Sequence, residues 1–477
     1  MRKGTMHEDI ICRGRARGTI PGEERKAIRE LFDILATGKD DWRMSVYEKI
    51  EAFILEHGNE DPVKLLLSKG KWKDIDVDTA VSTIEGRRRM ERKIPSWNGH
   101  SLIYPDRLCT EQCSSEPTAL LKASLARRIA GKDFRLADLT GGIGADSWAF
   151  SLSGGQILHN EAKPSLSEAV RHNFGVLGLN NVSFSSFMVV PDSVPEDDRS
   201  RHLDSVLGDF HPDIIFLDPA RRSETGKKVF LLEDCSPDVI PLMPSLLRES
   251  SEVLMKLSPM ADIPMVIGKL GEEVSEVHVV GLDGECKELL LRISRGFKGE
   301  CTLHVHDGGE EMILPYRSEK ESKAAFFSGE DQFLLDTAGG KLFIPGKTLS
   351  KAGLFNWISE KWDMKKAAPS AHIYFIPEGK EIPKEASSMG RIFDIAEAVP
   401  FSSSVLKSLG KKYPKADVLS KDMPLTSEAL ARKLGVKSGD GVMMVACPVG
   451  FSDASPKGSG RWIFICRVGK AKREPAL

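Results

Sequence analysis

The sequence predicts an α/β protein: a mostly parallel sheet with one antiparallel strand in a terminal hairpin, preceded by a helical domain and followed by an α+β module. Three observations carry that expectation. Residues 134–294 alternate short apolar runs with helix-length segments, the pattern of a parallel sheet covered by helices on both faces. The first of those runs ends in a glycine cluster that opens a helix. Finally, 477 residues are too many for one core at roughly 100–200 residues per domain.

Composition narrows the class further. The chain carries 67 Lys+Arg against 69 Asp+Glu, a formal charge of −2, with 41% hydrophobic residues. That excludes a disordered or collagen-like chain and a basic surface over the whole molecule, though not a local basic patch. No run of about 18 apolar residues occurs, so no membrane span is expected. Met1-Arg2-Lys3-Gly4-Thr5 leads into no apolar run, so no classical signal peptide is expected. Of the eight cysteines only Cys109 and Cys113 lie close together, and no CxxC pair exists. The expectation is therefore no metal site, no disulfide framework and a reduced, cytoplasmic protein. No stable protein partner can be inferred.

The elements follow in order. Residues 1–20 read as a flexible arm with Arg13, Arg15 and Arg17 among glycines. Residues 21–105 form a helical domain, because Ile28, Leu31, Phe32 and Leu35, then Ile50, Phe53 and Ile54, then Val63, Leu66 and Leu67 recur at helical spacing. It ends near the basic run Arg87 to Lys93, either a solvated helix end or a phosphate contact. The central domain spans 106–298, starting with a helix over Thr118–Ile129 that has Ser115 as cap and Pro117 in its first turn. Its strands are Leu136–Leu139, Ile157–His159, Val182–Phe184, Ile214–Leu217 and Val253–Leu257. It closes on a hairpin, Glu276–Val280 and Lys287–Ile293, turning at Leu282-Asp283-Gly284. A mixed connecting region over 299–390 holds strand-like Cys301–Val305 and Gln332–Leu335 and a helix near Gly353–Lys361. The final module, 391–477, is helical at Ser427–Leu434 and strand-like at Val442–Cys447 and Trp462–Arg467.

The chemistry concentrates in Asp138-Leu139-Thr140-Gly141-Gly142-Ile143-Gly144. Glycines there let a ligand approach the backbone and the N-terminus of the next helix. Glu161 follows the second strand, 23 positions after Asp138, where an acid can accept hydrogen bonds from ribose hydroxyls. A dinucleotide fingerprint needs a third glycine, but Ser147 stands in its place. An acid at the strand end suits the ammonium of a methionine moiety better than a pyrophosphate. That points to S-adenosylmethionine. A second constellation, Asp218-Pro219-Ala220-Arg221-Arg222, follows the fourth strand, where open α/β sheets bind ligands.

Residues 130–294 resemble a class I S-adenosylmethionine-dependent methyltransferase, with its Rossmann-like sheet and reversed final strand. Asp138 to Gly144 matches the family's first motif, with Thr140 in place of its first glycine, and Glu161 matches its ribose-binding acid. Asp218-Pro219-Ala220-Arg221 is similar to the Asp/Asn-Pro-Pro-aromatic/Arg motif of nucleic-acid methyltransferases. More narrowly, Glu111-Gln112-Cys113-Ser114-Ser115-Glu116, Lys256-Leu257-Ser258-Pro259-Met260, Glu285-Cys286-Lys287-Glu288-Leu289 and Val399-Pro400-Phe401-Ser402 resemble a bacterial group with a C-terminal THUMP-like domain. With the residue chemistry above, the resemblance implies cofactor binding by Asp138, Thr140, Gly142, Gly144 and Glu161. It implies acceptor positioning by Asp218 and Arg221, with Arg222, Lys256 and Gln112 as further substrate contacts. Ala220-Arg221 stands where enzymes acting on exocyclic amines place an aromatic residue, although an arginine plane can also stack on a base. Cys235 is the nearest cysteine for pyrimidine C5 chemistry and reads as buried and structural. The adenine contact is either Phe187 or Asp192. RNA is the expected acceptor, with basic clusters at Arg87–Lys93, Lys407–Lys415 and Lys470–Arg473. The alternatives are a small-molecule or protein side-chain methyltransferase and a non-catalytic, RNA-associated module.

Overall fold

The structure is a computed structural model that describes residues 45–221, 232–327, 340–376, 379–439, 441–450 and 460–468. The expected arm at 1–20, the helical pattern at Ile28–Leu35, Arg222, the run Gln332–Leu335 and the basic cluster Lys470–Arg473 lie outside those residues. The chain divides into two compact units, one ending at Phe216 and reclaiming Arg248–Ser250, the other holding the remainder.

The first unit opens with helices α1 (Val46–His57), α2 (Pro62–Leu67) and α3 (Val77–Lys93). Ser45 caps α1 in a capping box with Glu48, and Asp61 and Asp76 cap the other two. Their inward faces form one core from Ile50, Phe53, Leu65, Val77, Ala80, Val81 and Ile84. That core also contains Ile103 and Ala169, and Ala169 belongs to α7 (Pro164–Val176) of the sheet region. The Asn173 side chain of α7 bonds both backbone groups of Ile103, at 2.8 and 2.9 Å. The helices and the first strands thus share one interior, and no division falls at the boundary expected near residue 105.

Helices α4 (Arg107–Gln112) and α5 (Glu116–Ala130) lead to β1 (Arg135–Asp138), α6 (Ala145–Leu152), β2 (Gln156–Asn160), α7, β3 (Val182–Ser185) and β4 (Ile214–Leu217). The strand order is β3-β2-β1-β4, every pair parallel. Parallel strands covered on both faces need continuous apolar runs, and β4 is Ile-Ile-Phe-Leu, buried throughout.

The second unit takes up the sheet pattern with β5 (Glu252–Leu257), β6 (Val274–Leu282) and β7 (Glu285–Ser294). The hairpin is as expected: Asp283 and Gly284 both have positive φ, 55° and 75°, and β7 runs antiparallel to β5 and β6. The sheet does not close there. β8 (Thr302–Asp307) adds parallel to β6, and β9 (Glu310–Pro315) returns antiparallel, so the connecting region expected from residue 299 begins with two further strands.

A second sheet combines β10 (Lys341–Pro345), β11 (Lys365–Lys366), β12 (Tyr374–Ile376), β13 (Gly390–Pro400), β14 (Asp417–Ser420), β15 (Val442–Val449) and β16 (Gly460–Val468) in the order β11-β12-β10-β13-β16-β15-β14. This sheet also takes in β10 from the region before residue 391, with β10 pairing β13 antiparallel. Period-two alternation sorts its side chains. Met443, Val445 and Cys447 enter the core on one face, Met444 and Ala446 the core beneath helices Ser403–Lys412 and Ser427–Leu434 on the other. Among the described residues no helix is long and apolar enough to cross a membrane.

Candidate active site

β1 ends at Asp138 and the chain turns through Gly141, Gly142 and Gly144 into α6. Gly142 and Gly144 have φ of 54° and 85°, a left-handed region that glycine adopts at no steric cost. Gly141 is required for another reason. A Cβ there would sit 2.1 Å from the His159 ring, which rises beneath the loop from β2. His159 is fully buried; burial first, and Arg171 second, push its pKa down to about 3, so the ring is neutral at pH 7. Its Nδ1 lies 3.0 Å from Ser147 Oγ. The residue standing where a dinucleotide site has its third glycine is thereby tied to β2.

The two candidate cofactor acids differ. Asp138 is buried, one oxygen accepting the Thr140 N–H at 3.1 Å and the other the Ser147 hydroxyl at 2.6 Å. It braces the loop from below. Glu161 reaches the loop from the tip of β2: its Oε2 accepts the Gly142 N–H at 2.9 Å and its Oε1 the Lys163 N–H at 2.8 Å. On the outer side of Gly142 an added Cβ would meet only the Thr140 carbonyl, at 4.0 Å, so that stretch of backbone is open.

The loop after β3 is fastened by Asn160, wholly buried at the end of β2. Its amide donates to the Leu139 and Phe187 carbonyls at 3.1 and 2.9 Å and accepts the Phe187 N–H at 3.1 Å. Phe187 is thus fixed beside the loop after β1 through one side chain, with the Arg201 guanidinium over its ring. Asp192 is instead ion-paired to Arg248 at 2.9 Å on the surface. Of the two open candidates for the adenine contact, the structure brings Phe187 to the glycine loop.

Gln112 is exposed at the end of α4. Ser115 occupies the N-cap position of α5, but its hydroxyl pairs with Thr118 Oγ1 and makes no capping bond to the backbone. The sequence reading passed over its neighbour Ser114. The Ser114 hydroxyl donates to Asp146 Oδ2 at 2.8 Å, and Lys122 Nζ, fully buried, lies 3.1 Å from Ser114 Oγ and 3.2 Å from Asp146 Oδ1. Asp146 is in the first turn of α6, so the segment before β1 is anchored to the helix that the glycine loop opens. His159 and Asn160 were also passed over. Their signal was visible: two polar residues closing an apolar strand.

In the second unit Asp218 follows directly on β4, and Lys256 of β5 donates to its Oδ2 at 2.5 Å. Lys256 is nearly buried and Asp218 about one-third exposed. The ammonium is thus committed to a carboxylate and does not snorkel to solvent. The backbone of Ala220-Arg221 pairs antiparallel with Cys235-Ser236, and Cys235 is fully buried as expected of a structural cysteine.

The basic run on α3 turns inward. Arg87 pairs with Glu51, Arg88 with the Gly58 carbonyl and Arg89 with Glu111, and Lys93 donates to the Thr110 and Glu111 carbonyls. It serves as an internal clamp more than as a phosphate track. Lys407, Lys411 and Lys415 are exposed on and after helix Ser403–Lys412, while Lys412 pairs with Glu397.

With this geometry in hand, comparison with known proteins places the chain. The THUMP domain-like family matches residues 390–471. A solved structure described as a "putative methyltransferase" from Porphyromonas gingivalis W83 aligns over 88% of this chain and 98% of its own, at 27% identity and a TM-score of 0.71. A "predicted O-methyltransferase" from Agrobacterium tumefaciens aligns over 39% of this chain and 84% of its own, at 18% identity and TM-score 0.29. A "putative RNA methyltransferase" from Pyrococcus horikoshii aligns over 37% and 84%, at 15% and 0.27. No curated protein matches. The first alignment, nearly end to end, gives the chain the fold of a structure named as a methyltransferase. More narrowly, the chain is similar over nearly its whole length to that methyltransferase-named structure and carries a THUMP-like segment at residues 390–471.

Proposed function

We propose that the chain uses S-adenosylmethionine to methylate RNA. The observation that carries the cofactor half is the clamp between Glu161 and Gly142, which aligns a charged acceptor with an open stretch of glycine backbone. The donor set fits a nucleoside bearing an amino acid. Glu161 offers a carboxylate for ribose hydroxyls, the loop offers room for backbone approach, and Phe187 offers an apolar ring for a base. Asp138 and Ser147 hold the loop's shape, and Thr140 and Gly144 supply its turn.

The bound cofactor would supply an electrophilic methyl on a sulfonium. The chain's own task is then alignment, which can contribute ~7–11 kcal/mol without a proton relay. Asp218 is the group proposed to orient the acceptor and take its proton, with Lys256 fixing the carboxylate's direction. Arg221, three positions after Asp218 in sequence, is proposed to hold a base or phosphate, with Arg222 and Gln112 as outlying contacts.

Two features support RNA as acceptor: the likeness of Asp218-Pro219-Ala220-Arg221 to the nucleic-acid methyltransferase motif, and the exposed lysines of the THUMP-like domain. The experiment is incubation of the full chain with methyl-labelled cofactor and separate pools of RNA, DNA, protein and small metabolites. Label in RNA supports the reading. Label confined to another pool, or cofactor binding with every pool unlabelled, overturns it.

A further inference from the structure

The second unit gathers three histidines and a glutamate on one face of its sheet. His278 lies on β6, His304 and His306 on β8 and Glu311 on β9. Register explains the meeting. His278 is directly opposite His304 in the parallel pair, and His306 opposite Glu311 in the antiparallel one. His304 and His306 are two apart on a strand and so project to the same face. All three histidines are buried, at 1%, 5% and 8% exposure.

One donor atom from each of the four residues lies within 4.8 Å of every other. His278 Nδ1 faces His306 Nε2 at 3.0 Å, His304 Nδ1 faces Glu311 Oε1 at 3.0 Å, and His306 Nε2 is 3.8 Å from that oxygen. Tetrahedral zinc, with bonds near 2.0–2.2 Å, sets its donors roughly 3.3–3.5 Å apart, within this spread. Two imidazole nitrogens aimed at each other can share only one proton, whereas a cation between them satisfies both lone pairs.

The outward nitrogens point to the same ligand. His278 Nε2 lies 3.0 Å from Glu276 Oε2, and Arg292 holds the other oxygen of Glu276 at 2.6 Å. His304 Nε2 lies 3.0 Å from the Thr302 hydroxyl. Metal-ligating histidines are oriented in this way, their far N–H on a carboxylate or hydroxyl.

We infer that His278, His304, His306 and Glu311 form a binding site for a single divalent transition-metal ion of the zinc class. Three imidazoles, one carboxylate and no thiolate suit such an ion. Four protein ligands leave no position for a reacting group, so its role is structural. It pins β6, β8 and β9 together. The sequence expectation of no metal rested on cysteine spacing alone, and the signal was the alternating His304-Val305-His306.

The test uses the full chain stripped with a chelator, then titrated with zinc against a chromophoric competitor and with cobalt by absorption. One equivalent should bind, cobalt should show the intense ligand-field bands of a tetrahedral site, and metal should raise the melting temperature. The double variant His304→Gln/His306→Gln should bind at least roughly 100-fold more weakly. Should it fail to fold, Glu311→Gln at the solvent edge keeps the strands intact and should shift the cobalt bands. No stoichiometric uptake, or cobalt spectra identical in wild type and variants, would mean a hydrogen-bonded histidine patch and overturn the proposal.

Discussion

Glu161 in the first unit and Asp218 in the second both sit just past a parallel strand, yet they are held in opposite ways. Glu161 is fixed by two backbone N–H groups, which leave its full negative charge in place. Asp218 is fixed by the Lys256 ammonium, which offsets that charge and restrains it through a flexible four-carbon stem. A carboxylate pinned by neutral, immobile donors suits equilibrium binding of hydroxyls. One balanced by a movable cation suits a group whose interactions change during reaction.

That contrast can be broken or sharpened by experiment. The largest effect is expected from Asp218→Ala, which should lower kcat by ~100-fold or more while the cofactor Kd stays within about threefold. Equal losses in both quantities would erase the distinction. Gly141→Ala should follow, since its methyl must displace the His159 ring; overpacking of this kind costs about 1–3 kcal/mol and should weaken cofactor binding in calorimetry. Glu161→Ala should raise the cofactor Kd by the loss of a charged acceptor, ~1.5–3 kcal/mol, with little further change in kcat.

Acid should act on the first unit through His159. The unfolded chain takes up a proton near pH 6.5, but the buried ring resists it down to about 3. The stability present above pH 6.5 should therefore drain away as pH falls toward 3. Urea midpoints measured from pH 7 to 4 should fall less steeply in His159→Gln. The smallest effect is expected from Lys407→Glu/Lys411→Glu. It should weaken RNA binding and flatten its salt dependence, by ~0.7 in log–log slope per lost phosphate contact, without altering cofactor affinity.

Local signals made the core of the fold legible. The β1 turn announced itself through three glycines after an apolar strand, and the β6–β7 hairpin through Asp283-Gly284, since both encode backbone angles directly. What stayed hidden depended on distant partners. The run at Arg87–Arg89 reads as solvated until Glu51 and Glu111 fold against it, 36 and 22 positions away. Asp138 reads as a ligand contact until Ser147 and Thr140 turn its carboxylate inward. β8 and β9 were missed as members of the sheet because a strand's own residues say little about which edge it joins.

The buried contact of Lys122 with Ser114 and Asp146 bears on modularity. Trimming the chain to start at β1 would delete the cation and the hydroxyl but leave the acid, and an orphaned internal charge costs several kcal/mol, about 3–5. The preceding helices are thus no detachable appendage. A domain cut to begin at its first strand would keep Asp146 but lose both Lys122 and Ser114.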